Sequence, residues 1–162
     1  MKKIICIAVA LLVLSLGTAM AAPLNDLSRG QTAVGAASDN LYIEHKIADR
    51  FTIGFQNIDT SSSDDAIDFY GQYRLNNTFR AIIGHRDYAD GAGYLGIGAT
   101  RELDNKWDGH AQVLFGDEFV EAQVGATYKI TSEVDANVYY RSFMPDVGDD
   151  KNRVGVGITY KF

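Results

Sequence analysis

The sequence predicts an all-β chain: one antiparallel up-and-down barrel of ten strands, with eight as the alternative count. Three observations predict it. Apolar and polar residues alternate with period two through most of the chain, and turn-forming residues interrupt that alternation about every ten residues. Beyond residue 21 there is no amphipathic helical period and no second apolar helix.

The strands are read in order as 31–38, 41–47, 51–58, 67–75, 78–87, 92–103, 107–115, 119–130, 134–144 and 153–162. One set of breaks is short: Lys46–Arg50, Leu75–Asn77, Leu103–Lys106 and Ile130–Glu133. Asn and Asp at such positions suit tight hairpins because they tolerate positive φ. The other set is mostly longer: Asp59–Ala66, Tyr88–Gly91, Gly116–Glu118 and Pro145–Asn152. The two sets alternate along the chain, so a meander places one at each end of the sheet. The two prolines, Pro23 and Pro145, are expected outside the strands, since a continuous ladder cannot use a residue without an N–H.

Residues 1–21 read as a cleaved signal peptide. A basic Met1-Lys2-Lys3 head precedes the apolar run Ile4–Leu16, and Ala19-Met20-Ala21 fits a small-x-small cleavage site. That run is shorter than a comfortable membrane helix. Residues 22–162 then form a single domain of 141 residues, and loss of Lys2 and Lys3 moves the formal charge from −6 to −8. The only cysteine, Cys6, lies in the leader, so stability must come from packing or from a membrane. An acidic chain without basic clusters argues against nucleic-acid binding.

Alternation alone does not say which face points outward. Three features favour polar residues inside and apolar residues toward lipid, as in a transmembrane barrel. The polar face carries Glu44, Asp68, Glu102, Asp108, Glu121 and Asp135 against Lys46, Arg74, Arg80, Arg86, Lys129, Arg141, Arg153 and Lys161. That near balance suits a narrow lumen, where an unpaired charge is costly. Glycines fall mostly on this same face, where they make room for an Arg or Tyr from a neighbouring strand. Phe51, Tyr73, Phe79, Trp107 and Tyr128, with Tyr160 and Phe162, gather near the short turns, as an interfacial aromatic girdle does. The longer connections carry ten acids offset only by Lys151, a net charge of −9, so that end is acidic.

With its leader, its cysteine-free meander and its final Ile158-Thr159-Tyr160-Lys161-Phe162, the chain resembles the small outer-membrane β-barrels of the OmpA and OmpX type. In that family a terminal aromatic, with apolar residues at alternating positions before it, is an assembly signal. Val154, Val156, Ile158, Tyr160 and Phe162 match it. The resemblance implies a bacterial outer-membrane location, contact with lipid and lipopolysaccharide, and handling by the outer-membrane assembly machinery. The chain departs from those relatives in its strand count, ten against eight, and in its short outer connections.

No catalytic, cofactor or metal residue is assigned, and the chain is read as a monomeric non-enzyme with a charge-filled lumen. His45, His85 and His110 lack metal-ligand spacing. His110 has Asp108 two residues earlier on the same face, but a place in the lumen network is the expected role. The loop Asp146–Asn152 lacks the regular calcium-loop pattern, and Gly93–Thr100 reads as strand rather than a dinucleotide turn. Three alternatives stand beside the structural or surface role: a narrow pore, a lipid-modifying barrel enzyme, and a soluble periplasmic barrel with an apolar interior.

Overall fold

A computed structural model describes residues 24–38, 40–58, 66–87 and 91–162. The leader, Pro23, Asp59, the 61–63 serine run, Asp64, Asp65 and Asp90 lie outside the described residues. Ten strands form one closed antiparallel barrel: β1 Thr32–Ala37, β2 Asn40–Ala48, β3 Phe51–Ile58, β4 Ala66–Arg74, β5 Phe79–Arg86, β6 Ala92–Glu102, β7 Trp107–Gly116, β8 Phe119–Lys129, β9 Val134–Pro145 and β10 Lys151–Lys161. Each strand pairs with its sequence neighbours, and β1 pairs with β10 to close the wall, Ala33 opposite Lys161 and Ala37 opposite Gly157. Ten strands therefore replace the alternative of eight. One expectation fails: Pro145 is the last residue of β9, opposite Phe119, rather than outside the strand. A strand end is where a missing N–H costs least.

Three short turns repeat one solution. In Leu75–Phe79, Leu103–Trp107 and Ile130–Val134, the backbone N–H of the first and second residues donates to the carbonyl of the last. The second residue's side-chain oxygen, from Asn76, Asp104 or Thr131, accepts two backbone N–H groups from the far side of the turn. These residues therefore serve as caps, which satisfy donors that the ladder leaves open.

The wall has an apolar exterior and a polar interior. Val34, Ile43, Ile53, Phe69, Ile83, Leu95, Phe115, Val156 and Ile158 are exposed, whereas Glu44, Gln56, Asp68, Gln72, Arg86, Glu121 and Arg141 are buried. This direction excludes a soluble barrel with an apolar interior, because water does not tolerate so large a continuous apolar band. Phe51 faces Tyr73 across β3 and β4, Trp107 lies 4.9 Å from Tyr128, and Tyr160 stacks 5.7 Å from Phe162. Phe79 lies on the same outer surface beside its turn.

Glycines let the interior fill with rings. Gly54 and Gly84 stand directly across from Tyr70 and Tyr94, and Gly35 and Gly155 from Tyr42 and Tyr139. A Cβ on any of the four would lie 2.1–2.3 Å from the facing tyrosine ring, so each ring lies flat over a glycine. Such pairing returns to the strand the packing that glycine alone lacks.

Candidate functional site

The lumen collects the polar chemistry of the chain, and its two ends are built differently. At the end of the longer connections, β5 supplies Arg86 to the centre of a charged layer. Its guanidinium donates to Asp68 of β4 at 3.0 Å and to Glu121 of β8 at 2.5 Å. Arg86 is 2 % exposed and both carboxylates 0 %. Asp68 also accepts the Tyr94 hydroxyl at 2.8 Å and the Gln56 amide at 2.8 Å. The Phe119 ring lies 4.8 Å from the guanidinium carbon and Phe143 lies 5.1 Å from Phe119. Charge pairing, hydrogen bonds and aromatic cover thus occur together, the condition under which buried ions are tolerated.

At the short-turn end a segment outside the wall provides part of the structure. Ahead of β1, Leu24 and Leu27 are buried inside the barrel, while residues 28–30 are exposed. Leu24, 7 % exposed, packs among Tyr70, Ile82, Tyr94 and Leu114. Leu27 is 3 % exposed. The Asn25 amide donates to Glu44 at 2.6 Å, and Glu44 also accepts from Tyr70 at 3.1 Å and Gln72 at 2.8 Å. Backbone carbonyls of the segment take the wall's cations: Arg80 donates to Asn25 at 2.7 Å, and Lys46 to Leu27 at 2.6 Å. Asp26 pairs with Arg74 and lies 3.9 Å from Arg80. Beyond Leu27 the chain is exposed, and it turns toward β1 at Gly30, whose φ of 82° favours glycine.

Around the rest of the wall, Lys161 pairs with Asp135 at 2.7 Å and Lys129 with Asp108 at 2.9 Å. Arg141 donates to Gln123 at 3.1 Å and lies 5.0 Å from the Tyr139 ring centre. Arg153 stands opposite Arg141 and is half-buried. Glu102 has the parity of the lumen face but is exposed at the short-turn rim, because β6 ends there. His110 hydrogen-bonds Gln123 at 3.4 Å while Asp108 is held by Lys129, so no Asp108–His110 dyad forms. His45 and His85 lie on the outer face, apart from His110. Among the described residues no group of three or more His, Cys, Asp or Glu is arranged to hold a metal ion.

Among the described residues, one small lumen cavity of about 20 Å³ lies between Leu24, Asn40, Tyr42, His110, Gln123 and Arg141, room for about one water. Sequence reasoning missed two contributors. Residues 24–30 carry no period and gave no element, so nothing in the sequence marked their role. Ile82, Leu114, Phe119 and Phe143 are apolar residues on the lumen face, concealed because apolar neighbours such as Ile83, Val113, Phe115, Val120 and Met144 blur the alternation there.

No family model matches the chain, and no curated protein matches it. Among solved structures, the KdgM porin in complex with disordered oligogalacturonate is similar over 82% of this chain and 98% of its own, with TM-score 0.52 and 11% identity. A de novo designed transmembrane β-barrel is similar over 85% of this chain and 100% of its own, with TM-score 0.43 and 14% identity. The N-terminal β-barrel domain of Pseudomonas aeruginosa OprF covers 83% and 98%, with TM-score 0.43 and 12% identity. At such identity the likeness is one of fold: the chain is a closed antiparallel β-barrel, as a porin is.

Proposed function

We propose that this protein is a small integral outer-membrane β-barrel with a closed lumen, and that its role is structural or carried by its exposed surface. The observation that carries the reading is the filled interior. The Arg86 layer lies toward one end and Leu24–Leu27 toward the other, and the lumen cavity between Leu24 and Arg141 holds about 20 Å³. The apolar outer band and the aromatics at the short-turn end support insertion with those turns on the periplasmic side. Val154, Val156, Ile158, Tyr160 and Phe162 line the outer face of β10 and are 51–65 % exposed, which supports their reading as the assembly signal.

The test is fractionation combined with heat modifiability. The folded protein is expected in the outer-membrane fraction as a compact band that shifts on boiling; recovery from the soluble periplasm overturns the assignment. Deletion of Phe162 is expected to impair insertion more than shortening any outer connection. A second reading, a narrow pore, draws on the fold likeness to a porin that holds an oligogalacturonate, and on the inner closure being a segment separate from the wall. It requires that segment to leave and the Arg86 layer to open.

A further inference from the structure

Two hydrogen-bond chains in the lumen have forced directions, and both end at the same cavity. The first starts at Asp68. Paired with Arg86, its carboxylate can only accept, so Gln56 turns its amide nitrogen toward it, at 2.8 Å. Gln56 therefore presents its carbonyl oxygen to Asn40, whose amide nitrogen donates to it at 3.3 Å. Turning the Asn40 amide over would set two carbonyl oxygens against each other. The oxygen of Asn40, Oδ1, is thus turned away from Gln56. It has no hydrogen-bond partner among the described residues, on a residue only 7 % exposed.

The second chain starts at Arg141, which can only donate. Its Nε–H donates to Gln123 Oε1 at 3.1 Å, so Gln123 turns its amide nitrogen to His110 Nε2, 3.4 Å away. That nitrogen accepts, which assigns the His110 proton to Nδ1 and leaves the ring uncharged. Asn40, His110, Gln123 and Arg141 all line the cavity of about 20 Å³.

The chemistry of the lining selects the occupant. The volume suits one species the size of water. Asn40 Oδ1 lacks a donor, so a bare anion does not satisfy it. The Arg141 guanidinium, 1 % exposed, disfavours a metal cation at the same place. A small neutral molecule that both donates and accepts meets both conditions.

We propose that this cavity is a binding site for one water molecule, which donates to Asn40 Oδ1 and accepts the second amide hydrogen of Gln123. The inference rests on the closed-lumen reading above and deepens it. A buried acceptor without a donor is costly, and a buried water normally makes about three hydrogen bonds to such groups. Bound there, the water joins the chain on β2, β3 and β4 to the chain on β7, β8 and β9. It ties opposite sides of the wall together across the lumen.

A crystal structure of the refolded barrel, at a resolution that shows ordered water, tests it. One water is expected within hydrogen-bond distance of Asn40 Oδ1 in the unmodified protein. Asn40→Leu, which keeps the size of the side chain and removes the acceptor, should lose that water while Gln123 and His110 keep their places. A dry cavity, or a water out of reach of Asn40 Oδ1, overturns the inference. So does a peak that disappears when crystals are grown without sodium, since that identifies a cation. If Asn40→Leu gives no heat-modifiable band, the unmodified protein decides the outcome alone. A file of waters running from the cavity to either rim would instead refute the closed-lumen reading itself.

Discussion

The two ends of the lumen are built by different means. At the outer end, Arg86, Asp68 and Glu121 all come from the wall, and all are buried. At the inner end, Lys46, Arg74 and Arg80 find partners on residues 25–27, which precede the first strand. The Asp26 side chain is 65% exposed, so its pair with Arg74 lies in a high-dielectric setting and contributes little. The outer closure is therefore inseparable from the barrel, whereas the inner one is a tethered insert held by Leu24, Leu27 and hydrogen bonds to carbonyls.

The sharpest way to break this contrast is Arg86→Met. It leaves Asp68 and Glu121 buried without their cation, and the expected loss is about 3–5 kcal/mol in denaturant unfolding of the folded barrel. A loss as small as that of an exposed pair would mean that the outer layer is hydrated. Deletion of residues 24–30 comes next. Removing the burial of Leu24 and Leu27, set against regained chain entropy, is expected to cost about 2–3 kcal/mol. The outer layer should keep the deleted barrel closed, and conductance should arise only when Arg86→Met is added.

Smaller effects sharpen the comparison. Gly84→Ala places a Cβ where the Tyr94 ring lies, and that ring cannot move without straining its bond to Asp68. The expected loss is about 2 kcal/mol. The matching change at the inner end, Gly54→Ala, displaces Tyr70, whose 3.1 Å bond to Glu44 is longer, and should cost less. The smallest change is expected from Asp104→Ala, which removes a turn cap remote from both closures. It should cost about 1 kcal/mol in the same unfolding measurement, with conductance unaffected.

Much of this architecture could be read in the sequence, for a physical reason. Strand alternation is local, so Val154, Val156 and Ile158 against Gly155, Gly157 and Thr159 reveal a two-faced strand without any knowledge of its neighbours. All ten strands occur where alternation places them, with ends shifted by two residues at most. Partnership inside the lumen was not legible in the same way. Asp68 is directly opposite Arg86 on the neighbouring strand, but Glu121 reaches it from three strands away, which only closure and tilt of the barrel decide. His110 shares a face with Asp108 by spacing, and the expected network role left open which partner Asp108 takes; it is Lys129 from the next strand. Residues 24–30 were illegible for a different cause: an irregular segment has no period, and its place depends on a cavity that the rest of the chain must first enclose.

On the closed-lumen reading the assembled barrel has no open path. Planar-bilayer recording of the purified protein, inserted and verified by its heat-modifiable band, tests it most directly. No stepwise conductance is expected from the unmodified barrel. Reproducible unit steps from the same preparation would contradict it.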